Sequence, residues 1–401
     1  MSVEVRPFGV SCNLQCEYCY QNPMRESRAS LHYSLPELKR ALELEGRPFT
    51  LFGGEPLLMR LEDLESLFSW GLDRYGENTV QTNGTLITAK HIEIFRRYKV
   101  RVGISIDGPD ELNDARWAGS LANTRAATER TNAAIVKLCE AGMAPGLIVT
   151  LHRKNATASV LPRLCRWLEE MDRIGVKSIR LHLLESENEE IRAKYGLTAA
   201  ENLVALLKIM ELEGALRAVR FDVFQDIRHL LAGEDGKCTC VWRACDPYTT
   251  QAVTGIESVG HRSNCSRTNK EGVDFIKGSR VGFERYLALY HTPQQYGGCS
   301  GCRFFLMCKG QCPGTAVAND WRNRTEHCEV WKKLFEVFES KMLGIGQPVL
   351  SSSIHRGAME DEALRRWQEG TDFTLEELVR SVAARSQAAS PPSSTDTGGK
   401  V

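Results

Sequence analysis

The sequence predicts an α/β fold in its first half and a cysteine-rich region in its second half. Six short apolar runs alternate with stretches of helical periodicity over about 210 residues. That alternation is typical of parallel strands joined by right-handed helical crossovers. From Lys237 onward the composition changes, because nine of the 14 cysteines lie between Cys238 and Cys328.

Each strand–helix unit is placed by its periodicity and its boundary residues. We predict strands over residues 3–10, 49–52, 79–84 (with the turn), 100–106, 146–151 and 178–184. We predict helices over residues 36–44, 61–75, 89–98, 125–141, 160–173 and 199–212. Ser34 and Thr88 lie just before two of these helices, where a hydroxyl can cap the first turn.

The composition divides the chain into four parts. We predict a strand–helix region over 1–215, a helical linker over 216–236, a cysteine-rich domain over 237–344 and a tail over 345–401. Within the later parts, helical spacing covers 221–233, 330–343 and 374–384. Residues 386–401 are rich in Ser, Pro, Thr and Gly, which predicts disorder.

Charge and hydropathy argue against two classes of partner. The 51 basic residues equal the 51 acidic residues, so no bulk field favours nucleic acid or an anionic membrane. The sequence contains neither an apolar run of transmembrane length nor a signal-peptide core at its start, which predicts a cytoplasmic protein. In that compartment, 14 cysteines indicate metal or redox chemistry and not a disulfide framework.

Three cysteines near the N-terminus are the strongest single signal. Cys12, Cys16 and Cys19 are spaced C-x3-C-x2-C, and the next cysteine is Cys139. A four-iron cluster takes four ligands, so three local thiolates would leave one iron open to a small molecule. The alternatives are a zinc knuckle and buried structural cysteines. Zinc sites usually pair C-x2-C units and close with four ligands, which makes zinc the weaker interpretation.

These cysteines, with the aromatic Tyr18 and the stretch Leu51-Phe52-Gly53-Gly54-Glu55-Pro56, resemble the radical SAM enzymes. The resemblance implies a partial (β/α)6 radical SAM barrel in the first half. It also implies that S-adenosylmethionine binds the open iron of a [4Fe-4S] cluster and is cleaved to a 5′-deoxyadenosyl radical. Cys12, Cys16 and Cys19 would then be both the metal ligands and the catalytic centre.

The resemblance also suggests residues that bind the cofactor. The Gly53–Gly54 turn would receive the amino group of S-adenosylmethionine, with Glu55 fixing it; glycines allow such close approach of a backbone. Ser105 would contact the carboxylate or the ribose of S-adenosylmethionine. A serine that only caps the end of a strand in solvent is the alternative. Arg125 would bind the carboxylate, although most arginines on predicted helices are surface residues.

The position of these residues along the chain agrees with a barrel. The C-terminal ends of the predicted strands carry the cysteine loop, Gly53–Glu55, Gln81–Asn83, Asp107–Gly108 and Thr150. In barrels of parallel strands, chemistry is carried out at the C-terminal ends of the strands. Two remaining cysteines, at positions 139 and 165, lie among apolar residues of predicted helices and are interpreted as core.

The second cysteine group resembles the SPASM domain, which implies two auxiliary [4Fe-4S] clusters and hence three clusters in all. One would be held by Cys299, Cys302, Cys308 and Cys328. The other would be held by Cys245, Cys265, Cys312 and either Cys240 or Cys238, of which Cys240 is preferred. A pair of zinc sites has the same ligand arithmetic. A further alternative is that one auxiliary cluster keeps an open iron that binds substrate.

The resemblance implies a hydrogen-abstracting enzyme, and the leading hypothesis is a maturase that crosslinks a ribosomally made precursor peptide through a C–C or thioether bond. The alternatives are oxidation of one side chain or a small molecule, and a non-catalytic iron–sulfur electron carrier. Sulfatase maturases place an aspartate after the Cys265 equivalent, where this chain has Ser266, which favours crosslinking. Asp246 could serve as a base instead.

Two partners complete the expectation. Reduction of the first cluster implies an electron donor such as flavodoxin or ferredoxin. Only eleven residues precede Cys12, so we expect a precursor peptide to be recognised by the barrel, the tail or a separate protein.

Overall fold

A single nine-stranded sheet runs through the described part of the computed structural model. The structure describes residues 3–22, 24–25, 31–186, 188–243, 245–246, 248–250, 254–268, 278 and 280–388. The strands are β1 (Val3–Arg6), β2 (Phe49–Leu51), β3 (Asn78–Thr82), β4 (Val100–Ser105), β5 (Gly146–Leu151), β6 (Ser178–Leu183), β7 (Arg220–Phe221), β8 (Thr254–Glu257) and β9 (His261–Asn264). Their order across the sheet is β7-β6-β5-β4-β3-β2-β1-β8-β9. Every pairing is parallel except that between β8 and β9.

Helices follow the strands and pack against the sheet. The first eight are α1 (Leu35–Glu45), α2 (Leu61–Tyr75), α3 (Ala89–Arg97), α4 (Leu121–Glu140), α5 (Leu161–Ile174), α6 (Glu189–Tyr195), α7 (Ala199–Glu213) and α8 (Asp222–Leu231). The later ones are α9 (Glu284–His291), α10 (Phe305–Cys308), α11 (Cys328–Gly344), α12 (Arg356–Gln368) and α13 (Leu375–Ala388). No helix in these described ranges is long and apolar enough to cross a membrane.

The predicted α/β fold with a parallel sheet is confirmed. All six predicted strands are present, and β5 has the predicted bounds. The first strand is shorter than predicted, because the chain turns after Arg6. Helix α4 starts at Leu121, four residues before the predicted position, because the Ser120 hydroxyl accepts a hydrogen bond from the Asn123 N–H at 3.2 Å.

The cysteine-rich half contributes strands that the sequence reasoning missed. Strands β8 and β9 form a hairpin on the β1 edge, and β7 adds two residues to the opposite edge. Helices α6, α9, α10 and α12 were also missed. The predicted linker contains β7 and α8, and the last predicted helix extends to Ala388. The rest of the segment predicted to be disordered, 389–401, lies outside the described residues.

Strand β1 is therefore an inner strand that joins the two halves. It pairs in parallel with β2 on one side and with β8 on the other. The Arg6 side chain, 3% exposed, pairs with Glu257 at 2.7 Å and donates to the Asn264 carbonyl at 2.9 Å. A buried guanidinium needs such partners, because an uncompensated buried charge is costly. The loop that follows β1 is thus held from both sides.

Candidate active site

The loop after β1 carries Cys12, Cys16 and Cys19 as half-buried thiols. All three guanidinium nitrogens of Arg25 contact this loop. Its Nε donates to the Val10 carbonyl at 3.2 Å and its Nη1 to the Leu14 carbonyl at 3.1 Å. Its Nη2 lies 3.6 Å from the Cys19 sulfur. These three contacts hold Val10, Leu14 and the Cys19 sulfur around one guanidinium.

The three thiols lie within electrostatic range of one another. Burial, opposed by Arg116 and reinforced by the nearby Cys19 and Cys12 thiols, raises the pKa of Cys16 to about 12. Burial and the Glu55 carboxylate likewise raise the pKa of Cys12. Ionising all three without a counter-charge is therefore unfavourable, and a bound cationic metal centre would supply that charge.

This donor set fits an iron–sulfur cluster better than a single metal ion. Across the described ranges, no three or more His, Cys, Asp or Glu side chains form a group that could hold one metal ion. The three thiols nevertheless influence each other's pKa, so they lie near one another without converging on a single ion. An inorganic cube with several irons needs its ligands spread in this way.

The two glycines after β2 press against the backbone that leads into the cysteine loop. A Cβ on Gly54 would come within 1.9 Å of the Ser11 carbonyl oxygen, and Gly53 has φ +121°. The Gly54 N–H donates to the Gly9 carbonyl at 2.9 Å, and the Glu55 N–H donates to the Ser11 carbonyl at 2.9 Å. The close approach visible here is thus between two protein segments, and it fixes where the cysteine loop begins.

Glu55 is fully buried and organises the end of β3. Its carboxylate accepts from the Thr82 hydroxyl at 2.7 Å and from the Asn83 N–H at 2.8 Å. It also accepts from the Leu57 N–H at 3.0 Å. The Asn83 amide in turn donates to Asn13 Oδ1 at 2.8 Å, inside the cysteine loop. Burial raises the pKa of Glu55, although these three donors oppose the rise.

A second buried network surrounds Tyr18. Its hydroxyl donates to Asp107, which follows β4, and accepts from Arg116 Nη1 at 3.1 Å. His152 Nε2 lies 3.4 Å from the same Asp107 carboxylate. Burial raises the pKa of Asp107, but His152 and Arg116 lower it more, so the carboxyl stays ionised. Tyr18 thus joins the cysteine loop to the ends of β4 and β5.

Arg116 is a site residue that the sequence reasoning missed. Burial lowers its pKa, but Cys16, Tyr18 and Asp107 more than offset this, and the net pKa is raised. The guanidinium therefore stays charged beside the Cys16 thiol. The only sequence signal was its distance after the Asp107–Gly108 turn, which does not separate it from other arginines nearby.

The structure places Ser105 at the strand ends that carry the site, but it places Arg125 on α4 in an ion pair with Asp114. Ser105, at the end of β4, accepts from Gln81 Nε2 of β3 at 2.9 Å and lies on the same strand ends as the site. Arg125 lies on α4 and is bound to Asp114 through Nε at 2.5 Å and Nη2 at 2.8 Å. Its charge partners are Asp114, Glu111 and Asp110, and none of these belongs to the cysteine loop.

The later cysteines fall into two groups of four. In the first, the protein atoms around the sulfur and then the Cys312 thiol raise the pKa of Cys240 to about 11, although the residue keeps an exposed surface. Burial and Glu4, and then Cys312, Cys245 and Cys240, raise the pKa of Cys265. These four line one cavity of about 520 Å³. Cys238 is not among them: its sulfur lies 3.5 Å from the Asp226 carbonyl, and Asp226 and Asp235 are its charge neighbours.

The second group surrounds a smaller cavity of about 20 Å³. It is lined by Cys299, Cys302, Cys308 and Cys328. Burial raises the pKa of Cys308, and the other three thiols raise it further. Burial and then Cys328 and Cys302 raise the pKa of Cys299 to about 12. Both groups therefore have the donor chemistry that a four-thiolate cluster requires.

One contact connects the cysteine loop directly with the first of these groups. The Tyr20 hydroxyl donates to the Ser266 hydroxyl at 3.0 Å, next to Cys265. Asp246, next to Cys245, is buried, and its Oδ1 accepts from the Tyr248 N–H at 2.7 Å. Its Oδ2 has no hydrogen-bond partner among the described residues.

Comparison with known proteins agrees with this geometry. Residues 7–168 match the model of the Radical SAM superfamily. The cysteine-type anaerobic sulfatase-maturating enzyme of Clostridium perfringens (strain 13 / Type A) is 24% identical over 389 residues, 87% of this chain and 99% of that protein. The serine-type enzyme of Bacteroides thetaiotaomicron is 37% identical over 128 residues, 28% of this chain and 30% of that protein.

Solved structures show the same fold. Native anSMEcpe with bound AdoMet and the Cp18Cys peptide superposes with a TM-score of 0.64 at 19% identity, covering 86% of this chain and 98% of that one. Streptococcus suis SuiB bound to precursor peptide SuiA has a TM-score of 0.55 at 16% identity, covering 82% and 75%.

The fold and the cysteine loop thus define an iron–sulfur enzyme that uses S-adenosylmethionine. Residues 7–168 are a radical SAM domain, and the chain as a whole shares the fold of the solved anSMEcpe and SuiB structures.

Proposed function

We propose that this enzyme oxidatively modifies a ribosomally made precursor peptide and forms an intrapeptide C–C or thioether crosslink. The observation that carries the proposal is the grouping of eleven thiols into three sets, one of three and two of four. Such an arrangement suits one radical-generating cluster and two auxiliary clusters that accept electrons. The peptide complexes of anSMEcpe and SuiB support a peptide as the substrate class.

We assign roles to the residues as follows. Cys12, Cys16 and Cys19 would hold the first cluster, which, with S-adenosylmethionine bound, supplies the hydrogen-abstracting radical. Arg116 would bind the carboxylate of S-adenosylmethionine, because it is charged and adjoins Cys16. Glu55 would hold the Asn83 turn in place, and the Gly53–Gly54 turn and Ser105 would line the same site.

The auxiliary ligand sets follow the two groups in the fold. Cys240, Cys245, Cys265 and Cys312 would hold one cluster, and the set around the smaller cavity would hold the other. The separation of Cys238 from the first set supports Cys240 as the ligand. A flavodoxin- or ferredoxin-like donor would reduce the first cluster.

Oxidation of a single side chain in a protein is the second candidate. The names of the sulfatase-maturating relatives favour it. The residue after Cys265 argues against it, because Ser266 offers no carboxylate and its hydroxyl already binds Tyr20.

Mass spectrometry separates these candidates. The enzyme is co-expressed anaerobically with a short peptide encoded beside its gene, and separately supplied with a sulfatase-derived peptide that contains Cys or Ser. Loss of a pair of hydrogens with a new linkage in fragmentation supports crosslinking, whereas formylglycine in the sulfatase peptide supports the second candidate. The Cys12→Ala, Cys16→Ala and Cys19→Ala variants should show neither product. If the intact enzyme forms 5′-deoxyadenosine but changes neither peptide, peptide modification is the wrong proposal.

A further inference from the structure

Basic and aromatic side chains share the wall of the second auxiliary site, by which we mean the cavity between Cys299, Cys302, Cys308 and Cys328. The basic side chains are Arg324 and Lys332. The aromatic ones include Phe304 and Phe335, whose buried rings stack with centroids 5.2 Å apart. Buried apolar walls disfavour added negative charge, so a cation in the same wall matters for any centre that gains an electron there.

Backbone carbonyls hold Arg324 in this wall. Its Nη1 donates to the carbonyls of Gln294 and Gly298, the latter at 2.8 Å. Its backbone N–H donates to the Gly297 carbonyl at 2.8 Å. The guanidinium is therefore fixed by the loop that leads into Cys299, and these neutral acceptors do not cancel its positive charge.

One donor of this guanidinium is unused. Nε of Arg324 is buried and has no hydrogen-bond partner among the described residues. Burial raises the pKa of the Cys328 thiol, and the charge of Arg324 is the largest opposing influence, reinforced by a hydrogen bond from the same guanidinium. A buried N–H without an acceptor is unfavourable, and the sulfurs of an iron–sulfur cluster accept hydrogen bonds. The second auxiliary site thus presents a fixed cation and a free donor beside its thiols.

We propose that Arg324 donates a hydrogen bond to a sulfur of the cluster at the second auxiliary site and thereby raises the reduction potential of that cluster. The inference rests on the proposed function, which assigns a four-iron cluster to these four thiols. One-electron reduction adds one negative charge to such a cluster. A fixed guanidinium and an N–H···S hydrogen bond stabilise the reduced form more than the oxidised form, so the potential rises. Arg324 offsets the aromatic walls, which favour the oxidised form, and makes the site a better electron acceptor.

Two other cations near these thiols are less suited to this role. Lys332 lies one turn after Cys328 on α11, and its flexible ammonium adds charge without a fixed donor. Arg285 of α9 is buried but neighbours thiols of both auxiliary groups, namely Cys245, Cys312 and Cys299. By contrast, the charge of Arg324 acts on Cys299 and Cys328, which both belong to the second auxiliary site.

The test is a redox titration of the anaerobically reconstituted holoenzyme, followed by electron paramagnetic resonance. Cys328→Ser identifies which signal comes from the second auxiliary site. In Arg324→Gln we expect the midpoint potential of that signal to fall, while the other two clusters keep their potentials. Arg324→Lys keeps the charge but lacks the Nε–H, so its potential should lie between the other two. Arg322→Gln is the matched control and should change no potential, because Arg322 is exposed and its Nε binds Asp320 at 2.8 Å.

Several outcomes overturn the inference. An unchanged potential in Arg324→Gln with full iron and sulfide content shows that the guanidinium does not act on the cluster. An equal fall in all three clusters shows that the effect is not local. If Arg324→Gln loses iron, Arg324→Lys decides, and a wild-type potential in that variant refutes the hydrogen bond.

The same titration separates this inference from the proposed function. No peptide enters the measurement, so an enzyme that modifies no peptide still shows whether Arg324 raises the potential. A Cys328→Ser spectrum identical to that of the wild-type enzyme would refute the ligand set in the proposed function, and the inference with it.

Discussion

At the scale of single residues, the sequence and the structure favour different arginines for binding S-adenosylmethionine. Arg116 adjoins Cys16 and Tyr18, whereas Arg125 of α4 is bound to Asp114. We expect Arg116→Gln to weaken binding of S-adenosylmethionine by roughly tenfold or more, because a hydrogen bond to a charged group contributes about 1.5–3 kcal/mol. Arg125→Gln should leave binding nearly unchanged. Equilibrium dialysis against the anaerobically reconstituted enzyme measures both.

The same comparison decides between the two assignments. Normal binding in Arg116→Gln together with loss in Arg125→Gln would restore the assignment made from the sequence. Iron content of each variant is the control, since a variant that loses its cluster would lose binding for a different reason.

At the scale of secondary-structure elements, one carboxylate joins the last two helices. Glu362 of α12, 2% exposed, accepts from Arg365 at 2.9 Å, Arg366 at 2.7 Å and Arg385 of α13 at 2.7 Å. The hydrogen bond from Arg365 first, and those from Arg366 and Arg385 against opposing burial, lower the pKa of Glu362 to about 2. The stabilisation from this contact is thus fully present above the unfolded pKa of about 4.3 and is lost as the pH falls through the folded pKa of about 2.

We therefore expect Glu362→Gln to loosen α13 at neutral pH but to change little in strong acid. The expected cost is about 1.5–3 kcal/mol, the range for hydrogen bonds to charged groups. Hydrogen exchange of the helix Leu375–Ala388 measures it. Glu369→Gln, which removes an exposed partner of the same Arg365, is the control and should cost less than about 1 kcal/mol. Equal exchange in the two variants would contradict the prediction.

Also at this scale, local sequence signals predicted the barrel strands but not the added elements. Strands β2 to β6 have apolar alternation and turn residues, so their periodicity is visible locally. Strand β7 has only two residues, and the polar strand His261–Asn264 pairs with β8, which in turn pairs with the edge of β1. The cysteine spacing likewise predicts the site chemistry, whereas the Tyr18–Asp107–Arg116 network depends on loops that meet only in three dimensions.

At the scale of the whole molecule, the two halves share one sheet. The boundary proposed at residue 236 separates Arg6 from its partners Glu257 and Asn264. A chain of residues 1–236 should therefore be insoluble or unfolded, because Arg6 loses its partners and β1 becomes an exposed edge. A chain of residues 1–388, the control, should melt like the full-length protein. Soluble yield and circular dichroism measure both, and a cooperatively melting monomer of 1–236 would refute this expectation.

The inner position of β1 also has a consequence for how the enzyme is made. The strand leaves the ribosome before the other strands of the sheet, and its neighbour β8 is synthesised about 250 residues later. Pairing over so long a separation is slow, because a large loop must close before the contact stabilises the chain. Cys12, Cys16 and Cys19 thus stay in an unfinished loop through most of translation. Iron insertion at this loop is therefore expected to follow chain completion, so the apoprotein is the form that cluster-assembly proteins must recognise.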